Sequence, residues 1–532
     1  MDGSHTELIL AGLLFAVATL VTLARVLNVP YPIFLVLGGL AIGAVPGMPD
    51  VRFEPELVLL IFLPPLLYAA AFFASLRDLR RNARPITLLS VGLVLATCVV
   101  VAVCLHAAIP GFSWEAAFVL GAIVSPTDPV AATAIAGRLG VPRRVVIVVE
   151  GESLINDATA ITAYRVAVVA ITAGTFSAWD AGGQFLLGAA GGAAIGLAVG
   201  WVVAHVRERL DDPPVEITIS LFTAYAAYLP AEELGLSGVI AAVTVGLYMG
   251  SQTSRVTNAR VRMQGSATWQ ILVFLLNSFL FVLIGLQLPQ LLEELRDADY
   301  AVGTVILYGL LASVAVVVVR IAWVYAFTYI PRGVSGWVRD REPSPQRANV
   351  ALIAWMGMRG AVSLAAALAL PTENDAGEPF HERPLILFIT FCVILVTLVV
   401  QGLSLPLVIR LLGVEPDGSD ELEENKARKL AARAALDRLD ALAEEDWTRD
   451  QTVERMRGMY SYRYDRFAAR FDEQADGDAI EARTSDYLRI VSSVLEAQRE
   501  ALEDLRRRGT ISDEVMRRVE RELDLEEGRF LG

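Results

Sequence analysis

Thirteen stretches of nearly unbroken apolar residues follow one another between residues 7 and 413, separated by short polar connections. They fall near 7–27, 31–48, 55–74, 85–109, 114–138, 143–173, 183–206, 215–230, 234–251, 267–292, 299–330, 347–371 and 384–413. A helix of about 20 residues crosses the hydrocarbon core of a membrane, so the pattern predicts thirteen transmembrane helices. The weakest are 31–48, short and glycine-rich, and the pair divided only by a break at Pro230 to Leu234. From Val414 the hydrophobicity falls and amphipathic repeats begin, continuing through 451–475, 479–508 and 512–527. The expected architecture is an all-α polytopic membrane protein over 1–413, followed by a cytoplasmic helical domain over 414–532 whose surface is either a solvated bundle face or a regulatory one.

Two of the thirteen spans are interrupted. The fifth breaks at Ser125-Pro126-Thr127-Asp128-Pro129, where two prolines remove donors from the helical ladder. The twelfth breaks at Met356-Gly357-Met358-Arg359-Gly360. If spans one to six and eight to thirteen are two inverted six-helix repeats, the broken spans 5 and 12 correspond and cross near the membrane midplane. Asp128 then sits at a positive half-helix N-terminus and Arg359 at a negative C-terminus.

Span six carries charge where charge is costly. The run from Arg143 to Gly174 includes Glu150, Glu152, Asn156, Asp157 and Arg165. At about 1.5 Å per residue, Asp157 lies roughly 21 Å beyond Arg143, too deep for snorkelling. Ser153, Asn156 and Asp157 share one helix face, and the two glutamates lie within a turn. An ionised carboxylate facing lipid costs at least a few kcal/mol, so this stripe must face protein or water. Span seven, with Gly188, Gly192, Gly196 and Gly200, reads as a close-packing face.

Composition and charge narrow the class. Mean hydropathy is +0.51 and 20% of the 532 residues are charged, too apolar for an ordinary soluble protein. Residues 414–532 hold 21 Lys+Arg against 31 Asp+Glu, and most of the net charge of −14 lies there. A basic face is missing, so nucleic acid is not an expected partner. Arginines gather in alternate connections, among them Arg77 to Arg84, Arg143, Arg144, Arg255 to Arg262, Arg339 and Arg341, while the opposite set holds Arg52, Arg296 and Arg383. The positive-inside rule puts the N-terminus outside and the tail in the cytoplasm. MDGSHTE lacks the basic region of a signal peptide, so the first span reads as retained. Cys98, Cys104 and Cys392 lie in hydrophobic runs without metal-ligand spacing, and no cofactor is expected.

The assembled motifs resemble the monovalent cation/proton antiporter family, in particular its sodium/proton exchanger branch and the long bacterial form with a helical tail. They are LPPLLYAAAF at 63–72, SPTDPVA at 125–131, GESLINDATA at 151–160, AEELGLSGVIAAVTVGL at 231–247, NSFLFVLIGLQL at 277–288 and GMRGAVSLAAALALP at 357–371. GESLIND is the most specific of the six. The resemblance implies that Asp157 alternately holds a proton or a cation, assisted by Ser153, Asp128 and the backbone carbonyl of Thr127. Asn156 stands where electrogenic relatives carry an aspartate, which implies electroneutral exchange. Glu152 matches a structural acid paired with an arginine of span eleven, here Arg320, and Arg359 matches the arginine at the break in span twelve. A homodimer in the plasma membrane is implied as well. One departure is Tyr68, where exchangers often carry an acid after LPPLL; a phenolic hydroxyl there would weaken the field at the site.

The residues themselves support such chemistry. Asp157, Ser153, Asp128 and the Thr127 carbonyl are oxygen donors, the ligand type of a hard cation such as Na+. Burial favours a protonated carboxyl and a nearby cation favours an ionised one, so proton and cation compete for a single site. The expected function is antiport of Na+, with Li+ or K+ as alternatives, for H+. A cation channel would need a continuous filter, which paired broken helices do not provide. An intramembrane aspartyl protease would need Tyr-Asp and Gly-x-Gly-Asp contexts that neither Asp128 nor Asp157 has, so no enzyme activity is expected.

Overall fold

The computed structural model describes residues 3–27, 29–45, 55–173, 178–298, 300–334, 336, 345–373, 380–414, 418–471 and 477–531. Arg52, Arg339 and Arg341, which entered the charge argument, lie outside them. The chain divides into two compact units, Met1–Pro416 and Asp417–Gly532.

In the first unit the helices α1 (Gly3–Val26), α2 (Tyr31–Gly43) and α3 (Pro55–Phe73) lead to short α4 (Leu76–Arg81) and α5 (Ala83–Thr87). A π-helical stretch, Leu88–Leu93, joins α5 to α6 (Val94–Ala108). Next come α7 (Trp114–Val124), α8 (Pro129–Leu139), α9 (Arg143–Ala173), α10 (Ala178–Arg207), α11 (Pro213–Glu233) and α12 (Gly238–Val256). The long α13 (Ala259–Leu286), α14 (Leu288–Asp297) and α15 (Val302–Val334) precede α16 (Arg347–Trp355) and α17 (Ala361–Leu368). The last path runs from α18 (Arg383–Val396) through a second π-helical stretch, Thr397–Gln401, into α19 (Gly402–Leu411). Side-chain caps set several starts: Ser113 Oγ accepts from Ala116 N at 3.2 Å, and Asn258 Oδ1 from Val261 N at 2.9 Å.

Among the described residues six helices are long and apolar enough to cross a membrane, including Ala83–Ala108, Trp114–Gly137, Val302–Val334 and Arg383–Leu411. Shorter apolar helices cover Gly12–Val26, Tyr31–Gly43 and Leu60–Phe73. With 31 residues α9 has the length but not the apolarity, because of the charged residues it carries. The division after span eight falls later than the sequence suggested: Pro230 stays inside α11, and the chain turns at Gly235, whose φ of +68° favours glycine.

Among the described residues, four apolar clusters hold the unit, the fourth joining Leu89 and Leu93 to Val148, Val324 and Val350. The largest packs Val101 and Leu105 of α6 on Leu120 and Ile123 of α7 and on Phe388 and Ile394 of α18. A second gathers Ala224, Ala227, Ala241, Val245 and Met249 from α11 and α12 around Ala69 of α3. A third fastens Leu63, Leu67 and Ala71 of α3 to Leu154 and Ala158 of α9 and Ala242 of α12. The glycine run of α10 seats it on α12: Gly188 O accepts from Ser237 N at 3.1 Å, and a Cβ at Gly192 or Gly196 would overlap the Ser237 or Ala241 carbonyl.

The second unit holds α20 (Ser419–Ala443), α21 (Asp450–Ala468), α22 (Gly477–Arg507) and α23 (Asp513–Leu531). Arg457 meets Asp440 at 2.7 Å between α20 and α21, and Arg499 meets Asp524 and Glu527 at 2.9 and 2.5 Å between α22 and α23.

Candidate functional site

The site is built where two helices stop. Pro126 and Pro129 bar the ladder from continuing past Val124, so α7 ends there and α8 begins after Asp128. Asp128 caps α8, its Oδ1 accepting from Val130 N at 2.8 Å. Its own N–H donates to Met358 O at 2.8 Å, inside the second break. Gly360 lies so close to the Asp128 carboxylate that a Cβ there would overlap it.

Arg359 completes the crossing from the other side. Fully buried, it donates through Nε to Val124 O at 3.0 Å, through Nη1 to Gly357 O, and through its backbone N–H to Thr397 Oγ1 at 3.1 Å. The guanidinium therefore stands at the carbonyl end of α7 while the Asp128 carboxylate stands at the N–H end of α8. Each charge opposes a helix dipole.

Below the crossing, Glu152 and Arg320 form a bidentate pair, with Nη1–Oε1 at 2.5 Å and Nη2–Oε2 at 2.9 Å. Both are at most 1% exposed. Thr127 Oγ1 donates to Glu152 Oε1 at 2.9 Å, and Arg320 Nε and Nη2 donate to Ile353 O at 3.1 and 2.9 Å. The pair thus ties α9 and α15 to both broken helices, and its hydrogen bonds offset the desolvation of two buried charges.

Asp157, Asp128, Ser153 and Thr127 line one cavity of about 460 Å³, together with Glu150, Asn277 and Ser363. Asp157 is 7% exposed, and Asp128 lines the same cavity. The cavity also touches Ala74 and Gln270 and takes in Glu150, which lies on the Arg143 side of Asp157, so it extends toward the arginine-rich ends of α3, α9 and α13. Apolar walls from Leu67, Phe73, Val273 and Phe274 surround this oxygen-lined base. Such a site can hold a proton or a hard cation.

Other candidates are placed differently. Asn156 does not line the cavity; its Nδ2 donates to Thr127 Oγ1 at 3.0 Å and to Thr127 O at 3.4 Å. The Thr127 carbonyl, expected to assist Asp157, therefore already accepts one long hydrogen bond. Tyr68, expected to bring a hydroxyl to the site, is absent from the cavity wall. Its ring lies between Phe72 and Trp269, with centroids at 5.7 and 5.1 Å, and its hydroxyl is 3.5 Å from Ser220 Oγ. Arg165 pairs with Glu232 at 2.5 Å. Thr397 and the buried pair Arg207–Glu216, at 3.5 Å, went unread in the sequence. Thr397 sits in a π-helical turn, which hydrophobic periodicity does not reveal.

Comparison with known proteins gives one answer. The family model described as "Sodium/hydrogen exchanger, transmembrane" matches residues 12–411. An uncharacterized Na+/H+ exchanger of Mycobacterium bovis is 37% identical over 525 residues, 98% of this chain and 96% of its own length. A sodium, potassium, lithium and rubidium/H+ antiporter of Bacillus pumilus is 34% identical over 390 residues, 71% of this chain and 57% of its own. The structure of the sodium proton antiporter MjNhaP1 from Methanocaldococcus jannaschii superposes with a TM-score of 0.58 at 20% identity, over 76% of this chain and 100% of that one, which is a likeness of fold. The chain is thus an integral membrane protein and belongs to the sodium/hydrogen exchanger family.

Proposed function

We propose that this protein is a secondary active antiporter exchanging a monovalent cation for a proton at Asp157. The observation that carries the proposal is the position of this carboxylate, buried at the base of an open cavity beside two crossed helix breaks. Asp157, Asp128, Ser153 and the Thr127 carbonyl supply oxygen ligands, and Asn156 and Glu152 hold the Thr127 turn in place. Proton and cation neutralise Asp157 in turn, and the barrier moves only when the charge is neutralised, so net movement is exchange. With Asn156 rather than a second aspartate next to Asp157 on α9, the proposed stoichiometry is one for one and electroneutral.

Na+ is the proposed cation, with K+ and Li+ as alternatives; the breadth named for the Bacillus pumilus relative supports testing all three. We also place the protein in the plasma membrane, crossing thirteen times in two inverted six-helix halves, with the arginine-rich face and the tail in the cytoplasm and a homodimer as the assembly. In that orientation the cavity is open to the cytoplasm.

Proteoliposomes carrying an internal pH dye test the reading. Addition of Na+ should produce a pH change that valinomycin-clamped voltage leaves unaltered, and Asp157→Asn should abolish it. Exchange by Asp157→Asn at the parent rate overturns the assignment.

A further inference from the structure

The second break reaches the Asp157 cavity through the first turn of α17. Its cap Gly360 and the residues Ala361, Val362 and Ser363 all line the wall. The first three have no polar side-chain atom, so Ser363 alone brings side-chain chemistry from that turn. Gly360 fixes where it stands. A Cβ there would overlap Asp128 Oδ2, so the carboxylate lies against the start of α17. An N-cap residue faces the third residue of the helix it opens, which puts Ser363 on the side of the Asp128 contact.

Ser363 is 1% exposed, and its Oγ has no hydrogen-bond partner among the described residues. Helical hydroxyls elsewhere in the unit return a bond to the carbonyl four residues back, as those of Thr133, Thr159, Thr162 and Ser313 do. For Ser363 that carbonyl belongs to Arg359, inside the break. The other buried serine and threonine hydroxyls without a partner, Ser90, Thr97, Ser278 and Thr390, do not line this cavity. Burying an unpaired hydroxyl is costly, and here the oxygen is held in a wall shared with Asp128 and Asp157.

We propose that Ser363 is a further ligand of the transported cation. Its hydroxyl oxygen adds, from the second broken span, to those that Asp157, Asp128, Ser153 and the Thr127 carbonyl supply from α9 and the first break. The proposal rests on the antiport reading above. A hydroxyl contributes an oxygen without a charge, which strengthens the hold on a hard cation. A proton on the Asp157 carboxyl needs no such ligand. Ser363 thus acts on the cation side of the competition, and a bound cation joins the two breaks through their side chains.

The test compares the full-length parent with Ser363→Ala and Ser363→Cys, using Na+ and Tl+ as probes. Transport is read in proteoliposomes and binding by the rise in unfolding temperature of the detergent-solubilised protein. Ser363→Ala should raise the KM for Na+ about fivefold at alkaline pH, where protons compete least, with little change in maximal rate. The same concentration of Na+ should stabilise it less than the parent. Ser363→Cys keeps the size of the side chain but offers a soft sulfur, so it should lose affinity for Na+ and keep affinity for Tl+. It also carries the test if alanine prevents folding. A parental KM and thermal gain with Na+ in either variant overturns the proposal. So does an equal loss of Na+ and Tl+ affinity in Ser363→Cys, which would make the hydroxyl a packing group. Those results leave the antiport reading standing as long as Asp157→Asn is inactive; exchange by Asp157→Asn at the parent rate sinks that reading instead.

Discussion

Arg165 Nη2 lies 2.5 Å from Glu232 Oε2, joining α9 eight residues beyond Asp157 to the last turn of α11. Glu232 is itself anchored, its Oε1 accepting from Gly238 N at 3.0 Å at the start of α12. The pair sits on the side of Asp157 away from the cavity mouth, about 12 Å further along the helix. It fastens α9 to the α11–α12 turn on the side opposite that cavity. Both side chains are partly exposed, at 49% and 26%, so the contribution is at most about 1 kcal/mol. Arg165→Gln should therefore shift the balance toward opening on that side by no more than about fivefold. Thiol labelling of a cysteine introduced at Thr162, in a background without the native cysteines, measures the shift. Equal labelling with and without Arg165 would show that the pair restrains nothing.

Close packing at the crossing gives a sharper result. A Cβ at Gly360 overlaps the short, capped side chain of Asp128, whereas one at Gly137 meets nothing within 4 Å. Gly360→Ala should cost about 1–3 kcal/mol of stability as an overpacked contact and disable exchange. Gly137→Ala, on a helix of the same broken span, should leave exchange unchanged. Thermal unfolding and transport of the two variants, measured together, check the contrast.

Asp128 has two separable roles. Asparagine caps a helix about as well as aspartate, so Asp128→Asn should keep α8 and the fold within about 0.5 kcal/mol. It removes one of the two carboxylates facing the cavity, and the apparent affinity for the cation should fall severalfold. An unchanged KM would confine Asp128 to capping.

Competition at Asp157 fixes the sign of the pH dependence. Protons and cations occupy the same carboxylate, so lowering the pH on the side from which the cation binds should raise its apparent KM and leave the maximal rate in place. With one competing proton the KM should rise about tenfold per pH unit once protonation dominates. Initial rates over a grid of pH and Na+ concentration decide it, since a KM independent of pH is incompatible with shared occupancy.

Much of this was legible before the structure because it follows from the cost of charge in an apolar medium. Asp157 lies too deep to snorkel, and two prolines cannot continue a helix, so the stripe and the first break were readable from single residues. The pair Glu152–Arg320, 168 positions apart in the chain, had no local signal and was named through resemblance alone. Arg165 could not be given a partner for the same reason. Tyr68 was misplaced because sequence position along α3 does not give side-chain direction; Phe72, Trp269 and Ser220 draw the ring away from the cavity. Thr397 escaped because a π-helical turn shifts a side chain without altering hydrophobic content.

The two bonds between the breaks, Asp128 N to Met358 O and Arg359 Nε to Val124 O, run in opposite directions. Pulling the breaks apart would strand buried donors and acceptors on both, at about 1–3 kcal/mol each. The four half-helices are consequently bound to travel as one rigid block. Shear during transport must then be taken up at the perimeter, where Ala158 of α9, Ala71 of α3 and Ala242 of α12 share one apolar cluster, and where small side chains offer a smooth surface to slide across.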